Sequence, residues 1–389
     1  MTSIRIYSFR AVGEYRTYVI KYHDIMRIIN LFLCVLLFCV SCTSTHDDTY
    51  EIVKYDHTNI KESYPLSTFI DTVKFTRLEL PESCFFGRVK DILFDDSGIY
   101  VVDSKQDIVY RFNSDGTFLN TIGKRGEGPG EYAELTSCFL GKNSIYIADI
   151  GPCRIYEYSF DGDYIGTISH PFELVYDYIR ELPNGNFLCH TVSGINENTH
   201  GVWIMDRQGK LSKRVLAISE IYPFSSSGWD TMTLQEDGTI QIYDPPVGIF
   251  YSFNPQDESI HKIFQHKSNY KMTGDFIGVK SNYYIKEEHA NCDIIVNTDR
   301  YLLSIWSLPD MTASFTLLDK NTQKVENCSY PEMDIPGLIN LGNWMPSNLS
   351  NTWVTCFNDE FIDEYFPEKY GELRMSENVL IVNKLIFKH

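Results

Sequence analysis

A phrase built around a tight turn recurs along this chain, and its spacing constrains the fold more than any other feature. It reads IVYRFNSDGTFLNTIG at Ile108–Gly123 and RIYEYSFDGDYIGTIS at Arg154–Ser169. Weaker copies follow at Gly201–Leu216, Ile249–Phe264 and Ala313–Cys328. Each copy is an alternating strand, an Asp-Gly-like turn and a second strand, which is the signature of a β-hairpin. The turn glycines Gly116, Gly162 and Gly209 lie 46 and 47 residues apart, and Tyr100 and Tyr146 repeat the spacing of 46. The whole unit therefore recurs, and a period of about 40–50 residues made of short strands marks a propeller blade.

The chain divides accordingly. Thr72–Leu80 is a strongly alternating strand, and the first full blade runs from about Arg88, with VKDILFDD as its inner strand and GIYVVDS as its second. LTSCFLGKN and SIYIADI repeat these in the second blade. The third is expected from Val175, the fourth near Trp229, and the fifth around Phe276 with an insertion near Lys286–Asp293. In the sixth, WVTCFND reads as a strand, Glu360–Phe366 as a short helix, and Asn378–Lys388 as a final strand. A ring leaves no open sheet edge when its first and last strands share a blade. The predicted fold is thus all-β: a six-bladed propeller over 71–389, with blades of four antiparallel strands, closed by the N- and C-terminal strands.

Composition agrees with a large buried core. The 389 residues are 43% hydrophobic and 14% aromatic, with 26 Tyr and 24 Phe, which suits wide sheets packed face to face. Net charge is −18, and residues 1–41 hold five cationic and two acidic side chains, so the remainder carries −21. A surface of that sign repels phosphate backbones and excludes nucleic acid as a partner.

The amino-terminal region reads as an export signal. Ile28–Val40 is an apolar run of 13 residues behind Arg27. A membrane-spanning helix needs about 20 apolar residues, whereas a signal peptide needs fewer. The run ends in Val40-Ser41-Cys42, which resembles the bacterial lipobox, although Cys39 stands where a leucine is usual. Cys42 is then the expected lipidation site, 26–42 the lipoprotein signal peptide and 43–70 a tether. Residues 1–25 fit badly in front of a signal peptide, and a start at Met26 makes them an upstream extension from a misassigned start codon. The only membrane contact expected is the lipid anchor, at the cell envelope and its outer membrane, facing either the periplasm or the outside.

IGKRGEGPGEY at Ile122–Tyr132, the FNSDG turn and the terminal NVLIVNKL strand resemble the six-bladed β-propeller lipoproteins of bacteria, related to NHL-repeat propellers. The resemblance runs from about Asp71 to the end and implies fold and export. It carries no catalytic residues, because that group has no general activity.

Motifs for chemistry are sparse. The glycines of Gly123–Gly130 are not followed by the Lys-Ser/Thr pair and helix of a phosphate-binding loop, and read as a crossover between blades. The histidines share no phase with the repeat, so no metal site on the ring axis is expected, and no cofactor. The acidic pairs Asp95-Asp96 and Glu287-Glu288 read as turns. Seven cysteines remain beyond Cys42, without zinc-type spacing, and an odd number leaves at least one unpaired. Residues just before the inner strands line one mouth of the channel. Arg88, Glu131, Tyr132, Phe172, Trp229 and Trp344 are the candidate ligand-binding rim there, with packing between blades as the alternative. The expected function is an anchored binding module for a glycan, peptide or partner protein. The rivals are a propeller hydrolase or lyase acting at the channel mouth, and a structural subunit of an outer-membrane assembly.

Overall fold

Strand follows strand because apolar residues alternate with polar ones in runs of about five, broken by Asp, Asn and Gly turns. The structure is a computed structural model that describes residues 50–389 apart from 150, 171–177, 192–200, 218–231, 245–246, 272–289, 311, 337, 339–343 and 358–376. Three strands come first: β1 (Glu51–Tyr55), β2 (Lys61–Pro65) and β3 (Ile70–Glu79). The first blade is β4 (Val89–Asp95), β5 (Gly98–Asp103), β6 (Ile108–Phe112) and β7 (Phe118–Ile122). The second is β8 (Ser137–Leu140), β9 (Ile145–Asp149), β10 (Arg154–Tyr158) and β11 (Tyr164–Ser169). The third is β12 (Tyr178–Glu181), β13 (Phe187–Thr191), β14 (Gly201–Met205) and β15 (Leu211–Ala217). The fourth is β16 (Met232–Leu234), β17 (Ile240–Asp244), β18 (Ile249–Asn254) and β19 (Ser259–Ser268). The fifth is β20 (Asn291–Asn297), β21 (Tyr301–Ser307), β22 (Ala313–Asp319) and β23 (Lys324–Glu332).

The sixth blade is β24 (Met345–Pro346), β25 (Thr352–Phe357) and β26 (Val379–Phe387), completed on its outside by β3. The register joins Val379 to Glu79 and Ile386 to Thr72, so the two ends of the ring are zipped along one sheet. All five hairpins expected from the repeat are present, and the fold is a six-bladed propeller of four-stranded antiparallel blades. Six apolar clusters lie one at each blade-to-blade interface. Each blade thus buries both faces, one against each neighbour.

The turn glycines serve two purposes. Gly116, Gly162 and Gly209 have φ of 93°, 93° and 80°, a region hostile to side chains. Each turn also leans on the outer strand of the preceding blade. A Cβ at Gly116 would sit 2.2 Å from the carbonyl oxygen of Arg77, and one at Gly209 1.8 Å from that of Ser169.

The expected tether is corrected from Tyr50 onward. β1 pairs in parallel with β19 and β2 in parallel with β23, each as a fifth strand on the outside of a blade. Tyr55 and His57 are buried between the fourth and fifth blades, against Trp306 at 5.4 and 5.0 Å between ring centroids. Leu66 and Phe69 are buried between the fifth and sixth blades. The segment is a strap across three blades, held because its apolar side chains find cavities that the ring leaves open. The expected signal peptide, Cys42, the helix at Glu360–Phe366 and the expected start of the fifth blade at Phe276 lie outside the described residues.

Candidate functional site

The start of each inner strand and the end of each second strand lie on one face of the ring, as the pairing of Val89 with Asp103 requires. The second strands of the first, second and fourth blades end in Asp103, Asp149 and Asp244, all buried. Asp103 lies under the crossover into its own blade. It accepts hydrogen bonds from the backbone N–H groups of Gly87, Arg88, Lys105 and Gln106, the last three at 3.1, 3.0 and 3.0 Å. Asp149 does the same for Ala133 at 2.7 Å and Glu134 at 3.4 Å. A buried side chain that accepts that many backbone hydrogen bonds fixes both loops that meet over it. Asp244 has an Oδ1 without a hydrogen-bond partner among the described residues, and burial pushes its carboxyl up to about 7.

The glycine-rich crossover between the first and second blades closes on itself. Tyr132 N–H donates to Lys124 O at 3.2 Å and Gly126 N–H to Tyr132 O at 3.0 Å. The Glu131 carboxylate turns back into the loop, accepts from Gly128 N–H at 2.9 Å and meets Lys124 Nζ at 3.3 Å. The Gly128 hydrogen bond and then Lys124 hold its carboxyl below the usual range. The loop's own glutamate therefore occupies the place an incoming anion would need. A Cβ on Gly126 would lie 1.9 Å from Glu131 Oε2, which explains the glycine. Asp107, at φ 51°, holds the base of the loop. Its carboxylate takes Leu135 N–H at 3.0 Å and Arg125 at 3.1 Å, and its carbonyl takes the Tyr132 hydroxyl at 2.8 Å.

The six rim candidates do not converge. Tyr132 is fully buried between the first and second blades, and Trp344 lies 4% exposed in the core between the fifth and sixth, beside Phe387. Both are removed from the rim, because a ring next to a crossover gains more by filling the gap between blades than by facing water. Glu131 is committed to its own loop. Phe172 and Trp229 lie outside the described residues. Arg88 alone keeps the expected position: it is exposed on the crossover face, with Nε donating to Ser104 Oγ at 3.0 Å. Exposed Lys105, Lys124 and Arg125 join it there, on the loops that Asp103 and Asp107 hold.

The aspartates are what the sequence reading missed, although VVDS and IADI carry them 46 residues apart. The statement that no histidines share a phase is also corrected. His170 and His266 both donate their N–H to the residue closing the second turn of the blade, Cys153 and Gly248, each with a positive φ. Both are buried, in the second and fourth blades, and not on a common axis. Among the described residues no group of three or more His, Cys, Asp or Glu side chains is placed to hold a metal ion.

Two solved structures share this architecture. A protein described as exported, from Bacteroides fragilis, is 18% identical, with a TM-score of 0.64 over 87% of this chain and 100% of its own. A member of the DUF4221 family from Bacteroides vulgatus is 12% identical, with a TM-score of 0.50 over 82% of this chain and 97% of its own. At such identities the likeness is one of fold. No curated protein matches the sequence. The family model described as a domain of unknown function, DUF4934, matches residues 50–382, beginning with the strap and ending inside the closing strand. The chain belongs to the DUF4934 family.

Proposed function

We propose that this protein is an exported, lipid-anchored binding module that recognises an anionic group on a glycan, peptide or protein through the crossover face of its first two blades. The observation that carries the reading is the capping of both loops over Asp103. Four backbone donors on one buried carboxylate make a stiff platform, and Arg88 and Lys105 stand on it. A preset pair of cations binds an anion without first paying the entropy of ordering its loops. Export is supported by the signal-like segment ending at Cys42 and by the description of the B. fragilis protein that shares the fold.

Two measurements test it. Thermal-shift and titration binding against acidic and neutral oligosaccharides and peptides should find acidic ligands only, with affinity falling at least tenfold in Arg88→Ala/Lys105→Ala. Equal binding by that folded double variant sinks the rim reading. Mass spectrometry of the membrane-extracted protein should find an acylated amino-terminal Cys42, and an unmodified Cys42 sinks the anchor.

A further inference from the structure

The six outermost ring strands differ sharply in charge. β7 and β11 carry no ionisable cation or acid, β3 balances Asp71 and Glu79 with Lys74 and Arg77, and β23 holds Lys324 against Glu326 and Glu332. β15 and β19, on the neighbouring third and fourth blades, hold Lys213, Arg214, Lys262 and Lys267 and no acid at all. In a chain of net charge −18 this concentration is local and one-sided.

The strap brings both signs, with Glu51 turned to Gln323 of the fifth blade and Lys54 on the opposite face of the strand. β1 runs parallel to β19 with Lys54 in register with Lys267, so two exposed like charges stand side by side. Such a pair opposes strand pairing, and neither lysine makes an ion pair among the described residues. Lys262 lies over the Tyr50 ring at 4.9 Å and Lys213 meets Glu258 at 3.2 Å, while Arg214 packs on Trp203. Ile52, two residues before Lys54 and on the same face of the strand, is 47% exposed. The chain reaches this edge at Tyr50, eight residues beyond Cys42. Eight residues span at most about 28 Å.

We infer that the outer edge of the third and fourth blades is a docking surface for an anionic lipid bilayer. The lysines lie over the headgroups and Ile52 dips among them. The inference rests on the anchor proposed at Cys42: a lipid there tethers the chain eight residues from where it joins this edge. Lysines contribute additively to such binding, each worth about fivefold in affinity near an anionic surface, and salt weakens it.

The test uses residues 43–389, which hold every described strand and all six apolar cores, and which carry no acyl chain. Sedimentation with vesicles of phosphatidylcholine alone or mixed with phosphatidylglycerol should show binding to the anionic vesicles only, declining with salt. Lys54→Gln/Lys262→Gln/Lys267→Gln, all exposed and so compatible with folding, should lose about a hundredfold. Lys74→Gln/Arg77→Gln on β3 should lose nothing. Absence of binding, equal binding to neutral vesicles, or equal loss in the two variants overturns the inference. So does capture by polyglutamate without capture by vesicles, which points to an acidic protein. Since no acyl chain is present, these outcomes are independent of whether Cys42 is modified, which mass spectrometry reads separately.

Discussion

Arg207 of the third blade reaches Glu157 of the second with Nη2 at 3.1 Å from both carboxylate oxygens, while its guanidinium lies 5.5 Å from the Tyr146 ring. One blade earlier the arrangement recurs with the charges exchanged. Arg111 on the first blade pairs with Asp161 in the turn of the second at 2.8 Å, beside Tyr100. Arg111 and Glu157 hold matching places, each opposite its tyrosine. Reversed signs at neighbouring interfaces penalise a blade packed against the wrong partner. Arg207→Ala should lower stability by about 1–2 kcal/mol, the figure for charged hydrogen bonds reduced for a side chain that stays 37% exposed. Arg207→Lys should recover only part, since an ammonium cannot reach both Glu157 and Glu181, which Arg207 Nη1 meets at 3.4 Å. Urea midpoints of the three proteins decide this.

Asp103→Ala leaves four backbone donors without their acceptor. The expected loss is about 1–3 kcal/mol, since the stranded N–H groups are only partly buried and water can reach some of them. Asp103→Asn keeps one acceptor oxygen and should lose less. Hydrogen exchange at Gly87, Arg88, Lys105 and Gln106 should quicken together in both variants. Exchange confined to one of the two loops would show that Asp103 does not couple them.

Gly126→Ala pushes a methyl group into Glu131 Oε2 and should eject the carboxylate from its loop. Proteolysis within 123–132 should speed up severalfold, with global stability falling by about 1 kcal/mol. Adding Glu131→Ala should relieve the clash, so the double variant should be no worse than Glu131→Ala alone. Strict additivity of the two changes would refute the contact.

Two buried histidines make the strap acid-sensitive. Burial lowers His57 to about 4 and His266 to about 3, from an ordinary 6.5. His57 rests on Ser314 at 3.3 Å, and His266 on the Tyr243 hydroxyl at 2.8 Å. The unfolded chain takes up a proton near pH 6.5 while the folded one resists it. Their stabilisation is therefore complete above about pH 6.5 and is lost as pH falls toward 4 and 3. His57→Gln should flatten the dependence of the urea midpoint between pH 6 and 4. An unchanged slope would mean that His57 already protonates in the folded protein.

The ring was legible because its turns demand glycine twice over, for a positive φ at Gly116 and for close approach to the carbonyl of Arg77, and such a demand recurs with the blade. The strap was not. EIVKY and KESYP lie outside the period, and their partners are decided by β19 and β23 running to 10 and 9 residues, long enough to accept a fifth strand. The rim was half legible. Position before an inner strand leaves Arg88 exposed on the crossover face, but for Tyr132 and Trp344 size decided, since a large ring fills a gap that a short crossover cannot. Asp103 and Asp149 repeat as plainly as the glycines, yet an aspartate at a strand end looks like any turn residue until its donors are seen.

The pairing of β3 with β26 joins residues 70–79 to residues 379–387. The first strand of the ring thus waits for its neighbour until almost the whole chain has been made and delivered. Until then β3 has an unsatisfied edge, and the blades already made form an open arc. Completion waits for the carboxyl end: a chain cut before Val379 has lost β26, the strand that links β25 to β3 among the described residues.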